Sequence, residues 1–313
     1  MMRPVPRSVS APLRLAALAL AALLPGLAAR ADVPKVVTDI PPVHALVAQV
    51  MGDLGRPELL LTQGASEHDF QLRPSQAATL SEADLVVWIG PELTPWLDKA
   101  LQGLAADAVQ MSLLSVPQTL LRPYADQGAH SEEEGEDHDH GPTDPHAWLD
   151  PDNARLWLGA IAAELGQLDP DHAATYQANA ARAVADLDRM DGDLTIRLSA
   201  MQGRPIVVFH DAYGYLAAHY GLTILGSISL GDATAPGAAR LAELGASAKA
   251  GQIACVFAEQ QHDPALAAQL AQDSGARLGA ALDPVGSTLP PGPALYGALL
   301  TGMANAILDC AGT

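Results

Sequence analysis

The chain has 313 residues and a formal net charge of −19, from 17 basic and 36 acidic side chains. This excess of negative charge argues against nucleic-acid binding, which depends on basic surfaces. The length suits two lobes of ordinary domain size.

Residues 1–31 have the features of a secretory signal peptide. Three arginines lie between Arg3 and Arg14, and residues 15–24 are an uninterrupted run of Leu and Ala. The sequence at 29–31 fits the small-x-small cleavage rule, which makes Asp32 the expected mature N-terminus. The apolar run is too short to span a bilayer, and no cysteine at the cleavage site could take a lipid. We therefore expect a periplasmic protein that is not inserted in the membrane, with a mature net charge of −23.

Short aliphatic and β-branched runs predict eight strands in two groups of four. The first group covers residues 35–38, 58–62, 85–89 and 108–112, and the second covers 206–209, 222–227, 253–258 and 278–282. Amphipathic helices are predicted between strands at 43–51, 75–80, 94–104 and 235–249. Thr94 as N-cap and Pro95 at the first helical position favour the third helix. The alternation predicts an α/β protein with two lobes that contain mainly parallel sheets.

The two groups begin alike, with PKVVTDIPPVHALVAQVMGDLG and RPIVVFHDAYGYLAAHYG, a weak repeat that favours a duplicated architecture. Residues 170–201 lie between them and predict one long helix, with Gly192 as its only internal helix breaker. We expect an N-terminal lobe at 32–163, a linker helix at 164–201 and a C-terminal lobe at 202–313. A stiff linker helix predicts that the lobes close by only a small movement.

An acidic, histidine-rich loop at 128–143 precedes a constrained turn. Its three histidines are His130, His138 and His140, and residues 130–141 also contain six carboxylates and no apolar side chain, which predicts a mobile surface loop. His146 follows between two prolines, the second of which can open a helix. This composition is typical of a segment that collects a divalent metal ion, and equally of a solvated acidic loop before a helix.

The only cysteines are Cys255 and Cys310. In an oxidising compartment, two distant cysteines most simply form one disulfide. Metal ligation by the pair is the alternative.

Three of the ten histidines are candidate metal ligands: His68, His146 and His210. His68 follows the first lobe's second strand, and His210 follows the strand at 206–209 and is predicted to begin the next helix. Both therefore lie at carboxyl ends of strands, where ligands of open α/β sheets bind. Three imidazoles that meet in the cleft between the lobes suit zinc, with Glu67, Asp283 or water in the fourth position.

Four other histidines lie on or next to helical patterns: His44, His172, His219 and His262. We interpret each of them as a surface histidine or one whose hydrogen bonds are satisfied within the protein.

Longer motifs resemble the zinc-binding periplasmic component of bacterial ABC uptake systems (the ZnuA-like, metal-binding cluster A-I family). They are GASEHDFQLRPSQAATLSEADLVVWIGPELTPWL, HAWLDPDNA, VFHDAYGYLAAHYGL, CVFAEQQ and LDPVG, and they occur in this order over essentially the whole mature chain. The resemblance implies two α/β lobes joined by a long rigid helix, with a zinc site in the cleft between them.

The resemblance also implies roles for single residues. The three zinc ligands fall on His68, His146 and His210, and the disulfide falls on Cys255 and Cys310. A mobile loop of histidines and acidic residues before the second ligand is also a feature of the family, and we expect this one to bind zinc only weakly, because the ion must also order the loop. The implied protein binds Zn²⁺, is a monomer and not an enzyme, and has an ABC transporter permease as its partner.

Two alternatives stay open. One is a manganese- or iron-binding member of the same family, whose manganese-type relatives have glutamate in place of His210. The other is an exported zinc hydrolase, although the chain has no H-E-x-x-H helix. Gln260 and His262 depart from the family pattern after CVFAE, which makes His262 a further residue that could touch the site.

Overall fold

The strands form two four-stranded sheets, and every neighbouring pair in both sheets is parallel. The first sheet contains β1 (Val36–Thr38), β2 (Glu58–Leu59), β3 (Leu85–Trp88) and β4 (Val109–Ser112), in the order β2-β1-β3-β4. The second contains β5 (Ile206–Val208), β6 (Ile224–Ser227), β7 (Cys255–Val256) and β8 (Arg277–Leu278), in the order β6-β5-β7-β8. Both lobes thus have the same strand order, and the predicted pair of parallel α/β lobes is confirmed.

The computed structural model describes residues 1–2, 33–61, 64–65, 67–68, 70–124, 143–229, 238–250 and 253–312. Val33–Thr313 form one compact unit. Apart from Met1 and Met2, the predicted signal peptide lies outside the described residues. The loop histidines His130, His138 and His140 also lie outside them.

Nine α-helices are present in the described residues. They are α1 (Pro41–Met51), α2 (Pro74–Ser81), α3 (Pro95–Leu104), α4 (Pro151–Leu168), α5 (Ala173–Leu198), α6 (Gly214–Tyr220), α7 (Ala238–Lys249), α8 (Ala265–Ser274) and α9 (Leu295–Ala311). The first four have proline at the start, where a missing N–H costs no helical hydrogen bond. Thr94 occupies the predicted N-cap of α3, but its side chain makes no capping bond.

The long helix α5 has 26 residues and joins the two lobes in sequence. Single turns of 3₁₀ helix at Pro170–His172 and Ser199–Met201 extend it over the predicted span of 170–201. Its buried side chains recur every three, four or seven residues, which places them on one face. They are Tyr176, Ala180, Ala183, Leu187, Leu194 and Leu198. The helix packs on α4, α1 and α9. Residues 164–168 belong to α4, so the helical linker begins after Asp169.

Several predicted strands are too long, since those predicted at 58–62 and 253–258 are reduced to β2 and β7, and two further boundaries are wrong. The strand predicted at 278–282 ends at Leu278, and only a single bridge between Glu259 and Leu282 follows it. His210 does not begin a helix, since α6 starts at Gly214. The backbone N–H of Ala212 bonds to the His210 carbonyl at 3.0 Å, which makes a tight turn before α6.

Cys255 of β7 and Cys310 of α9 form the predicted disulfide, which connects the last helix to the second sheet. It accounts for both cysteines, so the alternative of metal ligation by the pair is wrong. Among the described residues, no helix has the length and apolarity needed to cross a membrane.

Candidate metal centre

His146 lies in a rigid turn just before α4. Its backbone N–H donates to Asp144 Oδ1 at 2.9 Å, and its ring Nδ1 lies 2.7 Å from the same oxygen. A carboxylate can only accept, so Nδ1 carries a proton, and in the neutral ring that metal binding requires Nε2 carries the lone pair. The ring is fully buried. Asp144 thus sets both the orientation and the tautomer of His146.

His210 follows β5 and is held in the same way by a different carboxylate. Its Nδ1 lies 2.6 Å from Glu259 Oε2, and the Tyr213 hydroxyl donates to Glu259 Oε1 at 2.9 Å. Glu259 follows β7, the strand beside β5 in the second sheet, and its side chain is fully buried. In its neutral form the His210 ring therefore also presents Nε2 as an electron-pair donor.

The two Nε2 atoms face each other at 3.4 Å. Two nitrogens bound to one tetrahedral zinc ion at about 2.0–2.1 Å would be about 3.3–3.4 Å apart. The observed separation matches this value without any movement of either ring. A histidine–carboxylate pair of this kind is the usual outer arrangement of a protein metal ligand.

His68 completes a group of three. Its ring centroid lies 5.7 Å from that of His146, and one nitrogen from each of His68, His146 and His210 lies within 4.8 Å of the others. His68 is more exposed than the other two, with 18% of its side-chain surface accessible. The structure therefore brings together the three histidines singled out in the sequence.

The two carboxylates considered for the fourth position differ in environment. Glu67 is buried, and its Oε1 lies 4.0 Å from His68 Nε2. Asp283 accepts three hydrogen bonds from its own loop, from the backbone N–H groups of Ser287 and Thr288 and from the Thr288 hydroxyl. Neither carboxylate belongs to a group of three close metal-ligating atoms in the described part of the chain.

His262 lies beside the centre rather than in the three-histidine group. Its ring stacks on Phe209 at 4.4 Å between centroids, and its Nε2 lies 3.7 Å from Glu259 Oε2. His262 thus approaches the carboxylate that holds His210, and His210, Glu259 and His262 form a second group whose ligating atoms lie within 4.8 Å of one another.

Asp39 is a buried carboxyl group that the sequence analysis missed. It directly follows β1 and accepts from the backbone N–H groups of Ile40 at 2.8 Å and Ile89 at 2.9 Å. Burial raises the pKa of Asp39 to about 7, and the nearby charge of Glu67 adds to the rise. The internal repeat in the sequence could have pointed to Asp39, because it aligns VVTD of the first lobe with VVFH of the second and hence Asp39 with His210.

His44, His172 and His219 have partners away from the centre, but His44 is buried and its Nδ1 has no hydrogen-bond partner among the described residues, so it is neither a surface histidine nor a fully satisfied one. His44 Nε2 donates to the Pro57 carbonyl at 3.1 Å, and His172 Nδ1 lies 2.7 Å from Asp169 Oδ2. His219 bonds to carboxylates of two helices and is only 13% exposed, so it is not a surface histidine.

The carboxylates Asp144 and Glu259 were also missed from the sequence. Asp144 could have been predicted as a partner of His146, because it lies only two residues before it. Glu259 could have been predicted as a site residue from its position after a strand of the second lobe, at the same edge of the sheet as His210.

Comparisons with known proteins agree with this geometry. Residues 36–310 match the family described as zinc-uptake complex component A, periplasmic. The high-affinity zinc uptake system protein ZnuA of Paracoccus denitrificans (strain Pd 1222) is 48% identical over 96% of this chain and 99% of its own length. The protein of the same description from Brucella abortus (strain 2308) is 34% identical over 88% of this chain and 91% of its own.

A solved structure gives the same result for the fold. A zinc-bound ZnuA deletion mutant superposes with a TM-score of 0.74 at 27% identity, over 90% of this chain and 98% of that chain. The sequence match covers most of this chain, and its relatives are covered almost from end to end. The chain therefore belongs to the ZnuA family of periplasmic zinc-uptake components.

Proposed function

We propose that the chain is a periplasmic protein that binds Zn²⁺ with high affinity and delivers it to an ABC-type membrane permease. The observation that carries the proposal is the 3.4 Å separation of the His146 and His210 Nε2 atoms, each on a ring oriented by a buried carboxylate. His68 supplies the third nitrogen.

The donor set favours zinc over manganese. Imidazole nitrogen suits zinc, whereas manganese prefers a shell richer in carboxylate and carbonyl oxygen. The three residues that converge here offer nitrogen only. For the fourth position we favour Glu67 or a water molecule over Asp283, because the loop around Asp283 already uses its oxygens.

The ion is cargo, so we propose no catalytic role for the centre. It enters on the more exposed His68 side, and release follows when the permease disturbs the arrangement of the lobes. In this account the loop histidines His130, His138 and His140 bind zinc weakly and raise its local supply. We propose that the protein acts as a monomer.

Calorimetric zinc titration of single variants tests the proposal. Replacement of His68, His146 or His210 by Ala should remove the tight zinc equivalent, since each removes one of a few inner ligands. The matched control is His172→Ala. The His172 side chain is about as exposed as that of His68, and it bonds to Asp169 rather than to a residue of the centre. Unchanged affinity in any of the three ligand variants contradicts that assignment. Metal-dependent ester or peptide hydrolysis by the wild type would instead support the hydrolase alternative.

A further inference from the structure

His219 of α6 lies in a cluster of charged side chains, the His219 cluster, which also contains Asp150, Asp152, Asp191 and Arg155. The His219 Nδ1 lies 3.0 Å from Asp150 Oδ1, and its Nε2 lies 2.8 Å from Asp191 Oδ1. Both partners are carboxylates, which can only accept, so both ring nitrogens carry a proton. His219 is therefore an imidazolium cation that connects two helices to its own.

The rest of the cluster favours this cation. Asp152 Oδ2 lies 3.9 Å from His219 Nδ1, and Arg155 contacts Asp152, Asp191 and, at 2.7 Å, Asp188. The Tyr220 ring lies edge-on to the His219 imidazole, with 4.7 Å between the ring centroids. Burial alone would lower the pKa of His219, but the hydrogen bonds to Asp150 and Asp191 outweigh it and raise the pKa to about 9.

The His219 cluster joins the two segments that carry the buried zinc ligands. Asp150 ends the turn that starts at His146, and its side chain caps α4 by accepting from the Asp152 N–H at 2.9 Å. His219 lies on α6, which follows the tight turn after His210. Asp191 lies in the C-terminal half of α5. One protonated ring thus connects the His146 segment, the His210 segment and the helix between the lobes.

A second connection, through Tyr215, also joins α6 to the His146 segment. The Tyr215 hydroxyl of α6 donates to the Asp144 carbonyl at 3.0 Å and accepts from the Arg122 N–H at 2.8 Å. Gly214 allows this approach, because a Cβ there would lie 3.2 Å from Asp144 Oδ2. The helix α6 therefore contacts both ends of the short segment that contains His146, at Asp144 through Tyr215 and at Asp150 through His219.

A metal ion is a poor alternative occupant of the cluster. Asp150, Asp152 and His219 are close enough to hold one. However, both ring nitrogens already have carboxylate partners, and the Arg155 guanidinium lies on two of the same carboxylates. A divalent ion would have to displace a proton and lie next to a positive charge.

We propose that protonated His219 is a positioning residue that holds the His146 and His210 segments together across α5, so that the zinc affinity of the three-histidine centre depends on a proton bound outside it. This inference rests on the proposed zinc-binding function. When one of its two protons is lost, His219 can donate to only one of Asp150 and Asp191, so the bridge across α5 is broken, and zinc binding must then supply the free energy that restores the spacing of the segments.

Zinc affinity measured by chelator competition between pH 7 and 10 tests this. At pH 7, His219→Gln should bind zinc about 3- to 10-fold more weakly than the wild type, less than the loss expected for a direct outer partner of a ligand. The Kd of the variant divided by the Kd of the wild type should fall toward one as the pH rises through the pKa of about 9, because the wild type then loses the same connection. Hydroxide complexes of zinc affect both proteins equally and cancel in the ratio. His172→Gln serves as the control and should match the wild type throughout.

Asp191→Asn supplies a second test if His219→Gln folds poorly. The amide keeps an acceptor for His219 Nε2 but removes one negative charge, so the loss of affinity should begin at lower pH than in the wild type. Equal affinities of His219→Gln and wild type at pH 7, a ratio that does not change with pH, or a zinc equivalent that disappears with His219→Gln would each overturn the inference. Absence of tight binding in the wild type would contradict the proposed function itself, which makes the two failures distinguishable.

Discussion

His146 and His210 are preoriented because each has a buried carboxylate on the side of the ring away from the centre. A buried carboxylate is costly unless its oxygens are hydrogen-bonded. Asp144 meets this need with the backbone and ring of His146, and Glu259 meets it with His210 and the Tyr213 hydroxyl. The same bonds that satisfy the carboxylates therefore fix the ligands, and binding needs little reorganisation of either ring.

Removal of the negative charge behind a ligand should weaken zinc binding. Glu259→Gln and Asp144→Asn keep the shape of the side chain but make the imidazole a weaker base, so we expect zinc affinity to fall by about 10- to 100-fold. Glu82→Gln is the control, since that carboxylate is exposed and contacts Lys35 rather than a ligand or the His219 cluster. Calorimetric titration decides the matter, and wild-type affinity in both ligand-side variants would show that the carboxylates do not support the centre.

At the scale of elements, the second lobe depends on short strands that are tied to a long helix. The strand β7 has two residues, and Cys255 within it is bonded to Cys310 near the end of α9. Arg277 of β8 also donates to the Cys310 carbonyl at 3.0 Å. The end of α9 is therefore attached to two neighbouring strands.

Loss of the disulfide should lower stability without affecting the centre. The loop that it closes has a sequence separation of 55 residues, and the chain-entropy model gives a contribution of about 4 kcal/mol for a loop of this length. Reduction should lower the melting temperature by several degrees, while calorimetry still finds one tight zinc equivalent. A Cys255→Ala/Cys310→Ala variant, whose melting temperature should not respond to reductant, is the control. An unchanged melting temperature of the wild type on reduction would show that the bond adds nothing to stability.

The alternation of strands and helices was predictable because short apolar runs and amphipathic stretches are local patterns. The start of α6 was not, because the turn at His210 is held by Glu259, a partner 49 residues away. The three histidines could be singled out from their places after strands and beside prolines. The bond between Glu259 and His210 and the ion pairs of His219 could not be predicted. They depend on the pairing of β5 with β7 and on the contacts of α6 with α4 and α5, which no local sequence pattern contains.

At the scale of the whole molecule, several hydrogen bonds connect the two lobes directly. The Gln49 side chain donates to the Pro293 carbonyl at 2.6 Å, and the Gln261 side chain donates to the Ala65 carbonyl at 3.0 Å. The Trp148 indole donates to the Pro284 carbonyl at 2.8 Å. Together with the packing of α5 on both α1 and α9, these bonds oppose a wide opening of the cleft.

Zinc should therefore change the overall dimensions very little. Small-angle X-ray scattering of the metal-free and zinc-loaded protein should give radii of gyration that differ by less than about 1 Å. The same samples after addition of a chelator provide the control for reversibility. A larger contraction on zinc addition would mean that the lobes move as hinged bodies and that the interlobe bonds break in the open form.

The central claim is that one zinc ion is bound by His68, His146 and His210. The most direct test is a crystal structure of the zinc-loaded protein with anomalous data collected on either side of the zinc absorption edge. The account predicts one dominant anomalous peak within about 2.0–2.1 Å of a nitrogen from each of the three histidines. A dominant peak in the loop of His130, His138 and His140, or in the His219 cluster, would contradict it.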